Sequence, residues 1–407
     1  MKPIRNLPVR PDLDQLKREA EKLSGEEHVQ LAEAQEAVAR SYGASNWARL
    51  SQSCELIDAI WRDDSDAVRQ LIKHYPNLLH ENAGIRNNNW GPPLTYAANL
   101  GRNEMIRMLY DLGARDLETA MDRAVLQSRV DTARVLHEMM GAPPPPDGAL
   151  SGAAYTLSAS GTQFILELGG KVVDENGNRL APVDVVLETD SRNPEAKHRI
   201  LELYVQYGLN LPDTPVMALH RGRIDLLEEH LRRDSQLLQR TFTHEEIYPP
   251  ELGCHDEVLA TQGTPLKGTT LLHLCADYDE IEIARWLLDR GMDPNVRAAV
   301  DANGFGGHTA LFGTVVSQPN FWMNYGNREP FEAPFTQLLL ERGADPNVRA
   351  SLRKKLHEGY APKYDTETTY EYRDVTALEW GRQFHAKVFV SEPAMKLIEA
   401  AEGGKIM

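Results

Sequence analysis

Along most of this chain apolar residues recur three and four positions apart, in short runs that Gly, Pro, Asn and Asp bring to an end. That period marks amphipathic helices, and the punctuation makes them brief and paired. Near the start, Leu13, Leu16, Ala20 and Leu23 form a stripe opened by Pro11, predicting a helix over 12–23. Leu31, Ala34, Val38 and Tyr42 predict a second over 27–42, facing inward, with Gly43 placed to stop it. From Cys54 onward helix pairs follow one another. The first gathers around Leu56, Ile60, Val68 and Leu71; later ones open near Pro92, Leu117, Gly148, Ala181, Asp213, Thr270, Thr309 and Thr376.

Two of these units repeat one phrase. Thr270-Leu271-Leu272-His273 closes with Gly291-Met292-Asp293-Pro294-Asn295, and Thr309-Ala310-Leu311-Phe312 closes with Gly343-Ala344-Asp345-Pro346-Asn347. Gly accepts the left-handed conformation that ends a helix, and Asp-Pro-Asn starts the turn beyond it. The pattern resembles the ankyrin repeat, a helix–turn–helix unit of about 33 residues with a Thr-Pro-Leu-His signature. The resemblance covers roughly residues 52–404 and implies an all-α fold: an ankyrin-repeat α-solenoid with β-hairpin fingers and an N-terminal helical cap. The expected organisation is a two-helix cap over 1–51, about three repeats over 52–146, and about six over 147–407. The phrase from Ala34 to Gly43 resembles the helical preludes of bacterial arrays. In the Pro92 unit Thr95 stands where the family has His, so that bracing side chain is missing. At His273 the resemblance implies the brace itself. Pro143-Pro144-Pro145-Pro146 cannot be helical and predicts a stiff connector.

The 407 residues, 42 % hydrophobic and 26 % charged, are those of a globular protein. The net charge of −16 disfavours nucleic acid and anionic membranes as partners. No apolar run approaches the ~18 residues of a membrane span. The N-terminus lacks the apolar core of an export signal, and Cys54, Cys254 and Cys275 are too few and scattered for a disulfide framework. A reducing, cytoplasmic setting follows.

Three insertions interrupt the C-terminal units, over 241–267, 319–334 and 351–374. Loops longer than about 12–15 residues are usually functional or disordered, and the aromatic content of these argues against disorder. The first carries His244, Glu246, Tyr248 and His255; the second Phe321, Trp322 and Tyr325; the third Arg353 in a basic knot and Tyr370 in an alternation that predicts a strand. The glycine-rich tip 301–308 presents Phe305 and His308, unless its glycines serve turn geometry alone. His220 and Arg221 end a first helix near the turn. Trp90, at another finger, is either an exposed interface anchor or folds back on its own hairpin. Trp47, Trp61, Trp286 and Trp380 have helical contexts and belong to the core.

Two functional readings stand at this point. The first is a scaffold that binds a protein partner of unidentified kind through its concave face and long C-terminal fingers, with no cofactor. The alternative is a small-molecule or metal-dependent site in the groove, built from His220, His244, His255 and His308, residue types suited to a divalent metal. Their spacing matches no metal motif. Cys254 beside His255 has neither an oxyanion hole nor an orienting third group, and no phosphate loop or Gly-x-Ser-x-Gly elbow is present.

Overall fold

The computed structural model describes residues 5–255, 257–260, 263–318, 332–357 and 365–403. The expected candidates Phe321, Trp322 and Tyr325 lie outside the described residues. The chain is mostly helical. Its first pair is α1 (Leu13–Glu27) with α2 (Leu31–Ser41). Next come α3 (Trp47–Trp61) with α4 (Ser65–His74), α5 (Pro93–Leu100) with α6 (Asn103–Asp111), and α7 (Leu117–Leu126) with α8 (Val130–Met139). They are followed by α9 (Ser151–Tyr155) with α10 (Ala159–Glu167), α11 (Val183–Glu188) with α12 (Pro194–Gln206), and α13 (Pro215–His220) with α14 (Ile224–Arg233). A short α15 (His244–Ile247) sits alone in the first insertion. The last pairs are α16 (Leu271–Tyr278) with α17 (Ile281–Asp289), α18 (Ala310–Val315) with α19 (Pro334–Glu341), and α20 (Ala377–Gln383) with α21 (Glu392–Glu402).

Local chemistry accounts for the ends of these helices. Asp12 accepts from the backbone N–H groups of Asp14 and Gln15 at the start of α1. Thr376 and Glu379 form a reciprocal capping box on α20. Gly291 and Gly343 take φ of 89° and 88°, the left-handed values that release the chain after α17 and α19. The two Gly-x-Asp-Pro-Asn turns also hold each other. The Asn295 side chain donates to the Gly343 carbonyl at 2.9 Å and accepts from the Asp345 N–H at 2.7 Å. The repeated phrase thus bonds one copy to the next, which fixes the register of these two units.

Some expectations require correction. Leu31 is the first residue of α2 and is 44 % exposed; the buried face of that helix is carried by Ala34, Val38 and Ala39. Trp47 and Trp61 are only partly buried, whereas Trp286 and Trp380 are core residues. Among the described residues the fingers form one ladder, β1 (Ala350–Lys354) with β2 (Tyr370–Val375), antiparallel with an irregularity between Ala350 and Leu352. Elsewhere they close through single bridges such as Phe242 with Thr269 and Gly306 with Ser351. Glycine and proline leave such fingers too little regular backbone for more.

Two compact units result, one comprising 1–153 with 160–170, the other 154–159 with 171–407. In the first, Leu16, Ala20, Val38, Tyr42, Leu50 and Cys54 form one cluster. Among the described residues no helix is long and apolar enough to cross a membrane.

Candidate functional site

In the second unit three neighbouring finger segments build a groove of about 380 Å3. One wall is Pro265, Lys267 and Gly268, another Ala299 to Asp301 with Phe305 and Gly306, and the third Leu352 and Arg353. Backbone bonds fix them side by side. The Ala299 N–H donates to the Gly268 carbonyl at 2.7 Å, and the Gly306 N–H to the Ser351 carbonyl at 2.7 Å. Gly306 has φ of 120°, and a Cβ there would lie 2.0 Å from the Ala299 carbonyl oxygen. The glycine is therefore required by close approach of two backbones. Gly306→Ala is expected to force these segments apart at a cost of about 1–3 kcal/mol, read as a lowered urea midpoint of the full chain; an unchanged midpoint would remove the close approach from this account.

Phe305 is gripped between two guanidiniums, Arg353 at 4.4 Å and Arg373 at 4.3 Å from its ring centre. Arg353 also pairs with Asp301. At the rim Val300 is 62 % exposed, unusual for a large aliphatic side chain, and Lys267 is exposed. His308 lines the groove from within at 2 % exposure, its Nε2 bonded to the Pro265 carbonyl at 3.0 Å. Three expected residues, Phe305, His308 and Arg353, thus meet at one place. The first two are buried, however, and serve its walls rather than facing a partner; a Phe held between arginines and a His bonded to a carbonyl are both spoken for.

In this unit the first insertion lies over the first helices of several pairs. Its base is pinned where Phe242 pairs with Thr269. Between these points Tyr248, Leu252, Cys254, Ala260 and Leu266 are buried. The Tyr248 hydroxyl shares a 3.0 Å hydrogen bond with Tyr278 at the end of α16. The backbone N–H of His255 donates to Glu188 of α11 at 2.7 Å. The Thr264 hydroxyl donates to the Val316 carbonyl just after α18 at 2.8 Å and accepts from the indole of Trp380 in α20 at 3.2 Å. The loop satisfies itself on α11, α16, α18 and α20, so apolar residues expected to greet a partner are spent on the chain's own helices.

Beneath it lies an ionic core. Arg192 and Asp277 pair at 3.2 Å with both side chains 2 % exposed, and Lys197 and Glu280 pair at 2.9 Å, both 3 % exposed. His198 adds a 2.8 Å bond to Glu280. Burial pushes the Asp277 carboxyl above the usual carboxylate range, against the pull of Arg192. Burial also works to raise Glu280, but Lys197 and His198 hold it below its ordinary value. His220 is fully buried, with Nδ1 3.3 Å from the Lys197 ammonium and its ring edge-on to Tyr278. Burial, then Lys197, keeps its pKa well below the ordinary imidazole value. The sequence reading missed this core; the acids Asp277, Asp279 and Glu280 after an apolar run were the nearest thing to a signal for it.

The four histidines of the metal reading are held apart by these roles. His220 sits against Lys197 and Tyr278, His308 against His273 and Pro265, and His244 packs on Tyr248 with ring centres 5.2 Å apart. His255 lies exposed beside Glu188. Among the described residues no group of three or more His, Cys, Asp or Glu is arranged to hold a metal. Elsewhere, Arg221 pairs with Glu202 at 2.6 Å, and Glu246 closes a cap on Thr243 while meeting Arg240. Tyr370 stacks on His385 at 3.9 Å. In the first unit Trp90 packs on helices, 4.7 Å from Tyr96 of α5 and 6.2 Å from Trp61 at the end of α3.

The brace at His273 is also present. Its Nδ1 lies 2.9 Å from the Thr270 hydroxyl, and its Nε2 bonds the His308 carbonyl of the next unit at 3.0 Å. The surrounding residues 267–299 match the family model of the ankyrin repeat. Those residues form an ankyrin repeat. Among solved structures, the human ASB11 ankyrin repeat domain is similar at 17 % identity, covering 75 % of this chain and 97 % of that one, with a TM-score of 0.26. No curated protein matches the chain.

Proposed function

We propose that the protein is an interaction module that holds another protein at the finger groove of its second unit. Ankyrin repeats generally serve protein–protein interaction, and repeat arrays offer extended surfaces rather than deep catalytic clefts. The observation that carries the reading is the groove itself: apolar walls pinned by backbone bonds, with Val300 62 % exposed at the mouth. The covered first-helix face leaves the fingers as the natural place for contact. Cys54, Cys254 and Cys275 are buried thiols, which suits a reducing cytoplasm.

A photo-crosslinking residue placed at 300 is expected to give discrete protein adducts in cells, and Val300→Asp to weaken capture of those same proteins about 30-fold, the effect of losing an apolar anchor. Adducts that persist equally at a surface site distant in sequence, such as Tyr155, or capture indifferent to Val300→Asp, would overturn it.

A further inference from the structure

Two imidazoles tie the walls of the groove together. The His308 Nε2–H donates to the Pro265 carbonyl at 3.0 Å, and the His273 Nε2–H donates to the His308 carbonyl at 3.0 Å. Carbonyls only accept, so each Nε2 must carry the proton and each Nδ1 must be bare. The His273 Nδ1 faces the Thr270 N–H at 3.3 Å and its hydroxyl at 2.9 Å. The His308 Nδ1 is buried with no partner. The rings stand edge to face, 5.3 Å apart.

A second proton disrupts both positions. On His308 the new N–H would find no acceptor; on His273 it would turn the Thr270 hydroxyl from donor to acceptor and break the Thr270 N–H bond that starts α16. The charged neighbours make matters worse. Arg297 lies on the same finger as His308, bonded to the Gly307 carbonyl at 2.7 Å. Lys267 stands on the opposite wall and Arg353 on β1, while Asp301, the acid of the groove, is taken by Arg353. From α18 the neighbour is Phe312, which is uncharged.

We propose that His273 and His308 make the groove acid-labile: when they take up protons, the finger 297–308 parts from Pro265 and from α16, and a partner held at neutral pH is released in mild acid. The release rests on the groove being the docking place; the opening does not. Burial holds the His273 imidazole down to about 4 and the His308 imidazole down to about 3. Once exposed, each returns toward the ordinary value of about 6.5. The folded values lie below the exposed ones, so closure is fully favoured above about pH 6.5 and loses ground as pH falls. Two such groups raise the open population about a hundredfold per pH unit below that point.

Hydrogen–deuterium exchange of the full chain, corrected for the pH dependence of chemical exchange, reads the opening without any partner. Segments 265–269 and 297–308 are expected to lose protection steeply between pH 6.5 and 5, before α12 and α20 do. In the His273→Gln, His308→Gln variant, whose amides still donate but do not titrate, the same segments are expected to change little. Fingers that stay protected to pH 5 would overturn the proposal. So would loss in one step with α12 and α20, or the same profile in the variant. Should the variant not fold, the order of opening in the wild-type chain decides alone. A chain whose fingers open this way yet gives no adducts at 300 would sink the docking reading and leave this one standing.

Discussion

Asp277→Ala is expected to destabilise the second unit by about 3–5 kcal/mol, the cost of leaving a buried guanidinium without its counter-charge. Arg192 also donates to the Thr189 and Ser191 carbonyls, but these carry no charge. Its Nε is 3.0 Å from the Asp277 carbonyl and its Nη2 3.2 Å from the carboxylate, with the side chain 2 % exposed. The loss is of the same order as the whole stability of an ordinary domain, so the urea midpoint of this unit falls or it fails to fold. The pair itself is a different matter. Removing both charges together, as Arg192→Met with Asp277→Leu, is expected to return most of the stability, because buried ion pairs roughly break even against well-packed apolar side chains. A single variant costing less than about 1 kcal/mol would show that water reaches Arg192.

Tyr278→Ala is expected to cost about 3–5 kcal/mol, as for other large aromatic-to-Ala changes in a core. The ring carries more than its volume. Arg192 lies 4.5 Å and Lys197 4.3 Å from its centre, so two buried cations lose their shared aromatic face. The hydroxyl donates to the Leu187 carbonyl at 2.8 Å and holds Tyr248 of the insertion. Tyr278→Phe isolates the hydroxyl's two bonds at about 1–3 kcal/mol, with loosening at the insertion and at the end of α11. Thermal unfolding gives the totals, and proteolysis between 244 and 260 reports the loosening. Equal costs for the two variants would mean that the ring's volume and its cations contribute little.

The helix pairs were legible because what defines them is local: an apolar period, a Thr or Asp cap, a Gly at the end. Even the turn-to-turn bond from Asn295 to Gly343 and Asp345 was written as a repeated phrase, although its partners are about fifty positions apart. The ionic core was not legible, because Arg192 and Asp277 are 85 positions apart and each alone reads as a solvated charge. The destination of the first insertion was hidden for another reason. Tyr248, Leu252 and Leu266 are the residue types that suit either a partner's surface or the chain's own, and composition does not distinguish them. Phe305, His308 and Arg353 come together in the walls of one groove with Val300 and Lys267 at its mouth, an arrangement that their separate places in the sequence do not specify.

Because the first insertion leaves and rejoins the chain across one bridge, Phe242 to Thr269, the spacing of the surrounding repeats does not depend on what is threaded between those two residues. The covering segment is thus an added layer whose length can drift, provided that residues such as Tyr248, Leu252 and Leu266 still reach the helices they cover.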